Sequence, residues 1–383
     1  MTEVDKNTLL ETLKAVEEND RNYAEAGRVL GLNRTTVARR VERARELGLT
    51  TDIIPPLGFA LGKVTRQTRP DGSVISQWEH LNPEQLRFND MVEAVEGALK
   101  DRVPALLSIS QPAHIIDNYL TVYIIADQHL GLYSWEPETG DNYDLEIGAK
   151  TLRSSVVELI DQTPHSSRAI VLNLGDFFHS DDNTNRTRRS GNVLDADGRY
   201  AKVLEIGVQL VIDTIELALS KHECVEYRGL PGNHDPYAYL ALNTAVRMAF
   251  RFNPRVHVSR DPSAFYFKQF GNVLIGATHG DMIKHPDMPS VMAAYAPRMW
   301  GETEHRYVYL GHVHHKSIGG GERFGATWET FRTLAPRDAW GTQAGFASGR
   351  SMVAITHDRD TGEKFRNTVT IAGPGFKRRE GLE

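Results

Sequence analysis

The sequence has little cysteine: Cys224 is the one thiol among 383 residues. A single thiol excludes an intrachain disulfide and a cysteine-rich zinc site. The sequence also lacks any run close to the roughly 20 consecutive apolar residues that cross a bilayer. Its first segment, MTEVDKNTLLETLKAVEEND, is acidic and amphipathic, unlike a secretory signal. These absences predict a protein of the reducing cytoplasm with no membrane partner.

A strong positive charge is absent too. The 44 lysines and arginines are outnumbered by 50 acidic residues, which gives a net charge of −6. The chain as a whole is therefore not a typical polyanion binder. At about 150 residues per domain, the length indicates two or three units. We interpret 1–50 as a small helical domain, 51–117 as a linker with a β-hairpin and a helix, and 118–383 as the main domain.

Residues 1–50 carry apolar residues at helical spacing and no proline. A first helix is predicted from one apolar stripe, Leu9, Leu10, Leu13 and Val16. A second is predicted from Tyr23 to Leu30 and is broken at Gly31. A third should begin at Asn33, a favourable N-cap, and run towards Leu47.

The segment AGRVLGLNRTTVARRVERARELGL resembles the helix-turn-helix and winged-helix families. Gly27 is small where two helices would cross, Gly31 lies at the turn, and Val37 is apolar where the next helix would rest. The common alanine is replaced by Gly27, which we expect to loosen the helix slightly.

This resemblance implies DNA binding by the third helix. Its start would make base-edge and phosphate contacts, and its arginines would meet further phosphates. The implied nucleic-acid-binding residues are Asn33, Arg34, Thr35, Thr36, Arg39, Arg40 and Arg43. The alternative is a helical bundle used for dimerisation or protein contact.

Beyond residue 118, apolar strand patterns alternate with helical ones. The strands are LTVYIIAD, AIVLNLGD, ECVEYRGLPGNHD, FGNVLIGATHGD and RYVYLGHVHH, and helices are predicted near 145–160, 200–220 and 236–250. This alternation predicts a layered α/β fold with helices covering a sheet. Further strands are expected between 316 and 375. Upstream, alternating residues around PDG predict a β-hairpin, followed by a helix over about 82–100.

Polar side chains that can bind metals follow each of the five apolar runs. They are Asp127 and His129, Asp176 and His179, Asn233, His234 and Asp235, His279, and His312 and His314. Open sheets bind ligands at the carboxyl ends of their strands, where all of these residues would lie. Oxygen and imidazole donors without thiolate favour Mn²⁺, Fe²⁺ or Zn²⁺. Because the donors are too many for one ion, the pattern predicts two divalent metals.

These five blocks, in this order, resemble the calcineurin-like metallophosphoesterase superfamily over about residues 119–315. The resemblance implies a β-sandwich flanked by helices. It implies one metal on Asp127, His129 and His314, a second on Asn233, His279 and His312, and Asp176 as the bridge. His234 would act on the substrate phosphate and the leaving oxygen, and Asp235 would orient its imidazole.

GDFFHSDD is similar to the matching block of the double-strand-break-repair nucleases, which implies that His179 positions a phosphodiester. SDDNTNRTRRSGNVLDADGRY and PDGSVISQWEH are similar to parts of phage-encoded metallophosphoesterases. Together these resemblances imply a DNA nuclease in which a metal-bound hydroxide attacks phosphorus. Manganese is the favoured metal, with Fe²⁺ or Zn²⁺ as alternatives.

Three hypotheses follow. The first is a nuclease with DNA as its partner, for which a homodimer is compatible but not dictated by any motif. The second is a phosphomonoesterase or small-molecule phosphodiesterase whose helical domain serves assembly. The third is a DNA-binding regulator with a vestigial metal site.

Overall fold

The computed structural model describes residues 6–19, 23–46, 59–69, 74–83, 97, 109–187, 191–313, 321–343, 345 and 348–371. The chain forms two compact units, Met1–Gln85 and Leu86–Glu383. The domain boundaries that we place near residues 50 and 117 remain predictions. Among the described residues, no helix combines the length and apolarity needed to span a membrane.

The smaller unit begins with three helices, α1 (Lys6–Glu18), α2 (Tyr23–Leu30) and α3 (Arg34–Glu46). Their core includes Ala15, Val16, Ala26, Val37 and Val41. The predicted apolar stripe was wrong at Leu10, which is 43% exposed while Leu9 is fully buried. Successive residues of a helix point about 100° apart, so these two neighbours cannot share one face.

The turn between α2 and α3 has the hydrogen bonds of a Schellman motif. The N–H of Leu32 donates to the Gly27 carbonyl at 2.7 Å, and that of Gly31 donates to the Arg28 carbonyl at 3.3 Å. Gly31 has φ 63°. A Cβ on Gly27 would lie 2.6 Å from the Leu32 carbonyl oxygen. The turn therefore requires glycine at 27, which corrects our expectation that this glycine merely loosens the helix.

The N-cap predicted for α3 is confirmed, because the Asn33 side-chain oxygen accepts the Thr36 N–H at 2.8 Å. Strands β1 (Phe59–Thr68) and β2 (Val74–Pro83) form the predicted antiparallel hairpin. Of the helix expected over 82–100, most lies outside the described residues. Asn82 and Pro83 belong to β2 instead, since they pair with Ala60 and Phe59.

The larger unit contains two sheets. One is built from β3 (Ile116–Ile125), β4 (Ser166–Asn173), β5 (His222–Gly229), β6 (Val256–Val258), β12 (Arg350–Asp358) and β13 (Gly362–Ile371), in the order β13-β12-β3-β4-β5-β6. The other is built from β7 (Tyr266–Phe270), β8 (Val273–Thr278), β9 (His305–Leu310), β10 (Gly321–Arg323) and β11 (Ala326–Thr330), in the order β10-β11-β9-β8-β7. Strands β3 to β6 are parallel, as are β8, β9 and β11.

Three helices of this unit lie close to their predicted positions, α5 (Leu145–Gln162), α6 (Tyr200–Leu219) and α7 (Ala238–Ala249). The sequence did not predict the others, which are α4 (Glu136–Thr139), α8 (Met288–Tyr295), α9 (Pro297–Gly301), α10 (Ala339–Gln343) and a 3₁₀ turn at His285–Asp287. Asp144 caps α5 by accepting the Ile147 N–H at 2.8 Å. The strands expected between 316 and 375 are confirmed as β10 to β13.

Side chains on the two faces of each central strand enter different cores. Along β3, Tyr123 and Ile125 pack with α5, α6 and α7, whereas Leu120, Val122 and Ile124 pack between the two sheets. A third core lies between the second sheet and α8, around Leu274, Met292 and Val308. The layers are thus helices, sheet, sheet and helices, which confirms the predicted α/β architecture. Because both faces of β3 and β4 are covered, their sequences read as continuous apolar runs.

Two histidines in these strands are fully buried. His222 lies 2.7 Å from both the Tyr123 and the Ser166 hydroxyl, and His357 lies 2.7 Å from the Tyr309 hydroxyl. Burial lowers the pKa of each imidazole to about 3 from its ordinary 6.5. Both rings are therefore neutral in the folded chain.

We expect this burial to make stability depend on pH. Below about pH 6.5 the unfolded chain protonates both rings while the folded chain does not, so the free energy of unfolding falls as the pH drops towards 3. Each histidine contributes about 1.4 kcal/mol per pH unit to this slope. His357→Gln should remove one such contribution in urea unfolding at pH 7.0, 6.0 and 5.0. The exposed His165→Gln serves as control, and an unchanged slope in His357→Gln would contradict the assignment.

Candidate metal centre

Six of the seven predicted metal ligands meet at one end of the larger unit. They are Asp127, His129, Asp176, Asn233, His279 and His312, whereas His314 lies outside the described residues. Each follows the carboxyl end of its strand, β3, β4 or β5 in the first sheet and β8 or β9 in the second. Both sheets thus contribute to one site.

Direct hydrogen bonds join the two sheets at this site. The backbone N–H of His312, after β9, donates to both Asp127 oxygens at 2.9 and 3.0 Å. The His279 Nδ1, after β8, lies 3.0 Å from the Leu174 carbonyl after β4. These bonds fix the loops of one sheet against those of the other.

The backbone is strained at the predicted ligands. Among the described residues, six that are not glycine have positive φ, and four of these are site residues. They are Asp127 (47°), His129 (46°), Asp176 (50°) and His312 (69°). Such conformations cost of order 1–3 kcal/mol each and persist only where the surrounding structure imposes them. The loops thus hold these side chains in directions that relaxed turns do not offer.

Two glycines allow the loops to approach the carboxylates. A Cβ on Gly232 would lie 2.0 Å from Asp176 Oδ1, and one on Gly311 would lie 2.8 Å from Asp127 Oδ2. Any larger residue at 232 would displace the Asp176 carboxylate or its backbone. Glycine at these positions is therefore required by the site.

Asp176 and His279 form a buried charged pair, with His279 Nε2 3.3 Å from Asp176 Oδ2. Burial alone would raise the pKa of Asp176, but the imidazoles around it, His279 foremost, hold it well below its usual range. Burial alone would lower the pKa of His279, but the Asp176 charge outweighs it and raises the pKa to about 10. In the metal-free chain a proton therefore occupies His279 beside the carboxylate.

The donor set fits divalent cations. The ligand atoms of Asp127, His129 and Asp176 lie within 4.8 Å of one another, and so do those of Asp176, His279 and His312. The two groups share Asp176. Asn233 joins the second group, since its Oδ1 lies 3.0 Å from His279 Nε2. Oxygen and imidazole donors without thiolate suit Mn²⁺, Fe²⁺ and Zn²⁺.

The orientation of His279 suits a ligand role as well. A hydrogen bond from Nδ1–H to the Leu174 carbonyl leaves Nε2 facing Asp176 and Asn233. Metal-binding histidines commonly use one ring nitrogen in this way to hold the other towards the ion.

Two further imidazoles, those of His179 and His234, adjoin His129 of the first group. His129 Nδ1 and His179 Nδ1 are 3.4 Å apart, and the rings of His179 and His234 are stacked with centroids 5.3 Å apart. His234 Nδ1 lies 2.8 Å from the His179 carbonyl oxygen. Because the carbonyl can only accept, His234 Nδ1 carries hydrogen and Nε2 is the nitrogen left for other contacts.

The role expected for Asp235 needs correction. This fully buried carboxylate accepts the backbone N–H groups of Asp176, Phe177, Phe178 and Gly232 at 2.9–3.1 Å. Both of its oxygens are thus engaged by the loops, and the His179 carbonyl holds the His234 imidazole instead. Burial and the Asp176 charge raise the pKa of Asp235, while these N–H donors oppose the shift. Asp235 therefore shapes the loop that carries Asp176.

Sequence reasoning missed Thr333. Its hydroxyl donates to the carbonyl oxygen of Asp127, and its side chain is almost fully buried. The residue lies after β11, far along the chain from the five blocks, in a segment without ligand spacing. No local signal in the sequence points to it.

The residues implied in DNA binding lie on α3 and its N-terminus. Four of these side chains are exposed, namely those of Arg34, Thr35, Arg39 and Arg43. They lie opposite or beside the face of α3 that buries Val37 and Val41. Arg40 is partly buried and its guanidinium lies 3.5 Å from the Thr12 hydroxyl. Asn33 and Thr36 use their side chains in the helix cap. Arg34, Arg39 and Arg43 are therefore the exposed positive charges of the predicted set.

No known protein family and no curated protein matches this sequence. Solved structures with a similar fold include Vps29 of Chaetomium thermophilum, with 13% identity, 67% of this chain and 100% of that chain covered, and a TM-score of 0.30. A predicted phosphoesterase from Streptococcus pneumoniae has 10% identity, coverage of 66% and 98%, and a TM-score of 0.26. A putative 5′-nucleotidase from Staphylococcus aureus has 14% identity, coverage of 66% and 54%, and a TM-score of 0.32.

Gly232→Ala should impair metal binding because the new methyl group would collide with Asp176. We expect metal affinity to fall about 10- to 100-fold, the effect of disturbing groups that orient a ligand. Titration with Mn²⁺ followed by elemental analysis would measure it. Gly301→Ala, where a Cβ meets nothing within 4 Å, is the matched control. Wild-type affinity in Gly232→Ala would show that Asp176 is not a ligand.

Proposed function

We propose that this chain is a two-metal-dependent phosphodiesterase that cleaves DNA. One observation carries the phosphoesterase part: carboxylate and imidazole donors from both sheets converge in two groups that share Asp176. Burying two carboxylates on strained loops is costly. A bound pair of cations explains the arrangement, because it compensates the negative charge.

In this proposal Asp127, His129 and Asp176 hold one cation, and Asp176, Asn233, His279 and His312 hold the other. His314 is proposed as a further ligand of the first cation. Two divalent cations, when bound, make water a stronger nucleophile at neutral pH and neutralise phosphoryl oxygens. Manganese is the proposed metal.

His234 is the proposed proton donor. Its Nδ1–H is held by the His179 carbonyl, so the imidazole presents Nε2. When protonated, Nε2–H can donate to a phosphoryl oxygen or to the leaving oxygen. The ring is partly exposed, as contact with a substrate requires. His179 braces this arrangement through its carbonyl and stacks on the same ring.

The DNA part of the proposal rests on the smaller unit. Its three helices, the Schellman turn and the capped α3 support the helix-turn-helix interpretation. Thr35 and Arg39 lie on the exposed side of α3, where a recognition helix would face the groove. A phosphodiesterase joined to a DNA-binding unit has DNA as its most direct substrate.

Turnover by the purified chain with Mn²⁺ tests the enzyme. We expect cleavage of bis-p-nitrophenyl phosphate and of DNA. Asp176→Ala should lower both by at least about 100-fold, and His234→Ala should lower them by about 10²- to 10⁴-fold. His234→Ala should still bind metal, and the exposed Asp360→Ala should behave as wild type.

Other outcomes would redirect the assignment. Cleavage of p-nitrophenyl phosphate alone would place the chain among phosphomonoesterases. Tight DNA binding without any turnover would favour a regulator.

Salt dependence tests the smaller unit. Arg34→Ala/Arg39→Ala should weaken duplex binding, and the slope of log affinity against log salt should become shallower by about 0.9 per lost phosphate contact. Lys14→Ala/Arg28→Ala is the matched control, since these cations lie in the same unit beside Glu18 and Glu25. A slope equal to the wild type would refute phosphate contacts by Arg34 and Arg39.

A further inference from the structure

Four large apolar side chains are exposed just after the metal-ligand segments. Tyr133 is 46% exposed, Trp135 55%, Tyr237 64% and Met282 74%. They follow His129, His234 and His279 in the sequence, so they lie at the same end of the sandwich as the centre. We call these four side chains the apolar rim.

Chain length keeps the rim close to the metal centre. At no more than about 3.6 Å per residue, the Cα atoms of Tyr237 and Met282 lie within about 11 Å of those of His234 and His279. By the same limit, those of Tyr133 and Trp135 lie within about 14 and 22 Å of that of His129. These limits keep all four side chains in the neighbourhood of the predicted metal ligands.

Hydrogen bonds hold the backbone under three members of the rim. The Tyr133 N–H donates to the Asp195 carbonyl at 2.9 Å, and the Tyr237 N–H donates to Asp181 at 3.0 Å. The Trp135 carbonyl accepts the Thr139 hydroxyl at 2.9 Å. The rings are therefore exposed on fixed backbone.

We propose that the apolar rim stacks against unpaired bases of a single strand whose phosphodiester lies at the metals. Three of the four rim side chains are flat aromatic rings, which stack on base faces irrespective of sequence, and Met282 adds an apolar contact. Paired bases inside a duplex cannot reach such a surface. The proposal rests on the phosphodiesterase function above and names its substrate class: single-stranded or unpaired nucleic acid. The rim thereby favours single strands over duplexes.

The test compares four substrates on the same protein: a single-stranded oligonucleotide, its duplex, an abasic strand of equal length, and bis-p-nitrophenyl phosphate. Tyr133→Ala/Trp135→Ala should lower kcat/KM for the single strand about tenfold. Turnover of the duplex and of the abasic strand should stay within about twofold, because neither offers an accessible base. The small diester reports whether the phosphodiesterase activity itself is present. Phe252→Ala is the control: this exposed ring follows the far end of α7, a helix about 18 Å long that begins beside the centre.

Binding of labelled single and abasic strands, measured on the same variants, tests the rim without turnover. The wild type should prefer the strand with bases, and Tyr133→Ala/Trp135→Ala should lose that preference. Equal binding of the two strands by the wild type would overturn the proposal, as would an equal loss on all four substrates. A double variant that changes from dimer to monomer and keeps the base preference would also overturn the proposal. Such a result would show that a second copy of the chain covers the rim. Missing turnover of the small diester would instead refute the phosphodiesterase function.

Discussion

Two buried carboxylates, Asp127 and Asp176, constrain the rest of the larger unit. A buried negative charge is expensive unless it is paired or hydrogen-bonded, and both sheets contribute contacts of this kind. Asp127 accepts the His312 N–H from the second sheet, and Asp176 accepts the His234 N–H and lies beside His279. The two sheets are therefore fixed not only by the apolar core between them but also by charge at one end.

The need to place these two carboxylates together explains why the strained residues lie at the same end of the larger unit. Relaxed turns after β3, β4 and β9 would not aim Asp127, Asp176 and His312 at one point. Positive φ at these residues redirects them, and the close approach at Gly232 and Gly311 permits it. Asp235 offsets part of the cost of this strain, because its carboxylate accepts hydrogen bonds from four N–H groups of the loops around Asp176. The strained residues and the hydrogen bonds that stabilise them thus lie in the same few loops.

Chemistry at such a centre needs orientation as well as charge. The His279 and His234 rings each have one nitrogen held by a backbone carbonyl, that of Leu174 or of His179. Because these acceptors belong to rigid loops, each ring has a defined direction for its second nitrogen. The proposed role of the apolar rim is different, since its side chains would contact the bases of the substrate. The charged phosphodiester group would lie at the polar centre.

The sequence by itself determined the layered α/β architecture, the three N-terminal helices and which predicted ligands follow each strand. Carboxyl ends of parallel strands meet at one edge of a sheet, which groups Asp127, His129, Asp176 and Asn233. His279 and His312 join them only because the second sheet packs against the first. Only the tertiary structure decided the role of Asp235 and the contribution of Thr333. Both depend on atoms brought together from distant segments, the N–H groups of 176–178 and the carbonyl of Asp127. The need for glycine at 27 arises instead within a single turn, from the backbone of Leu32. Spacing along a chain predicts which residues share an edge, but hydrogen-bond partners are fixed only when the loops are packed.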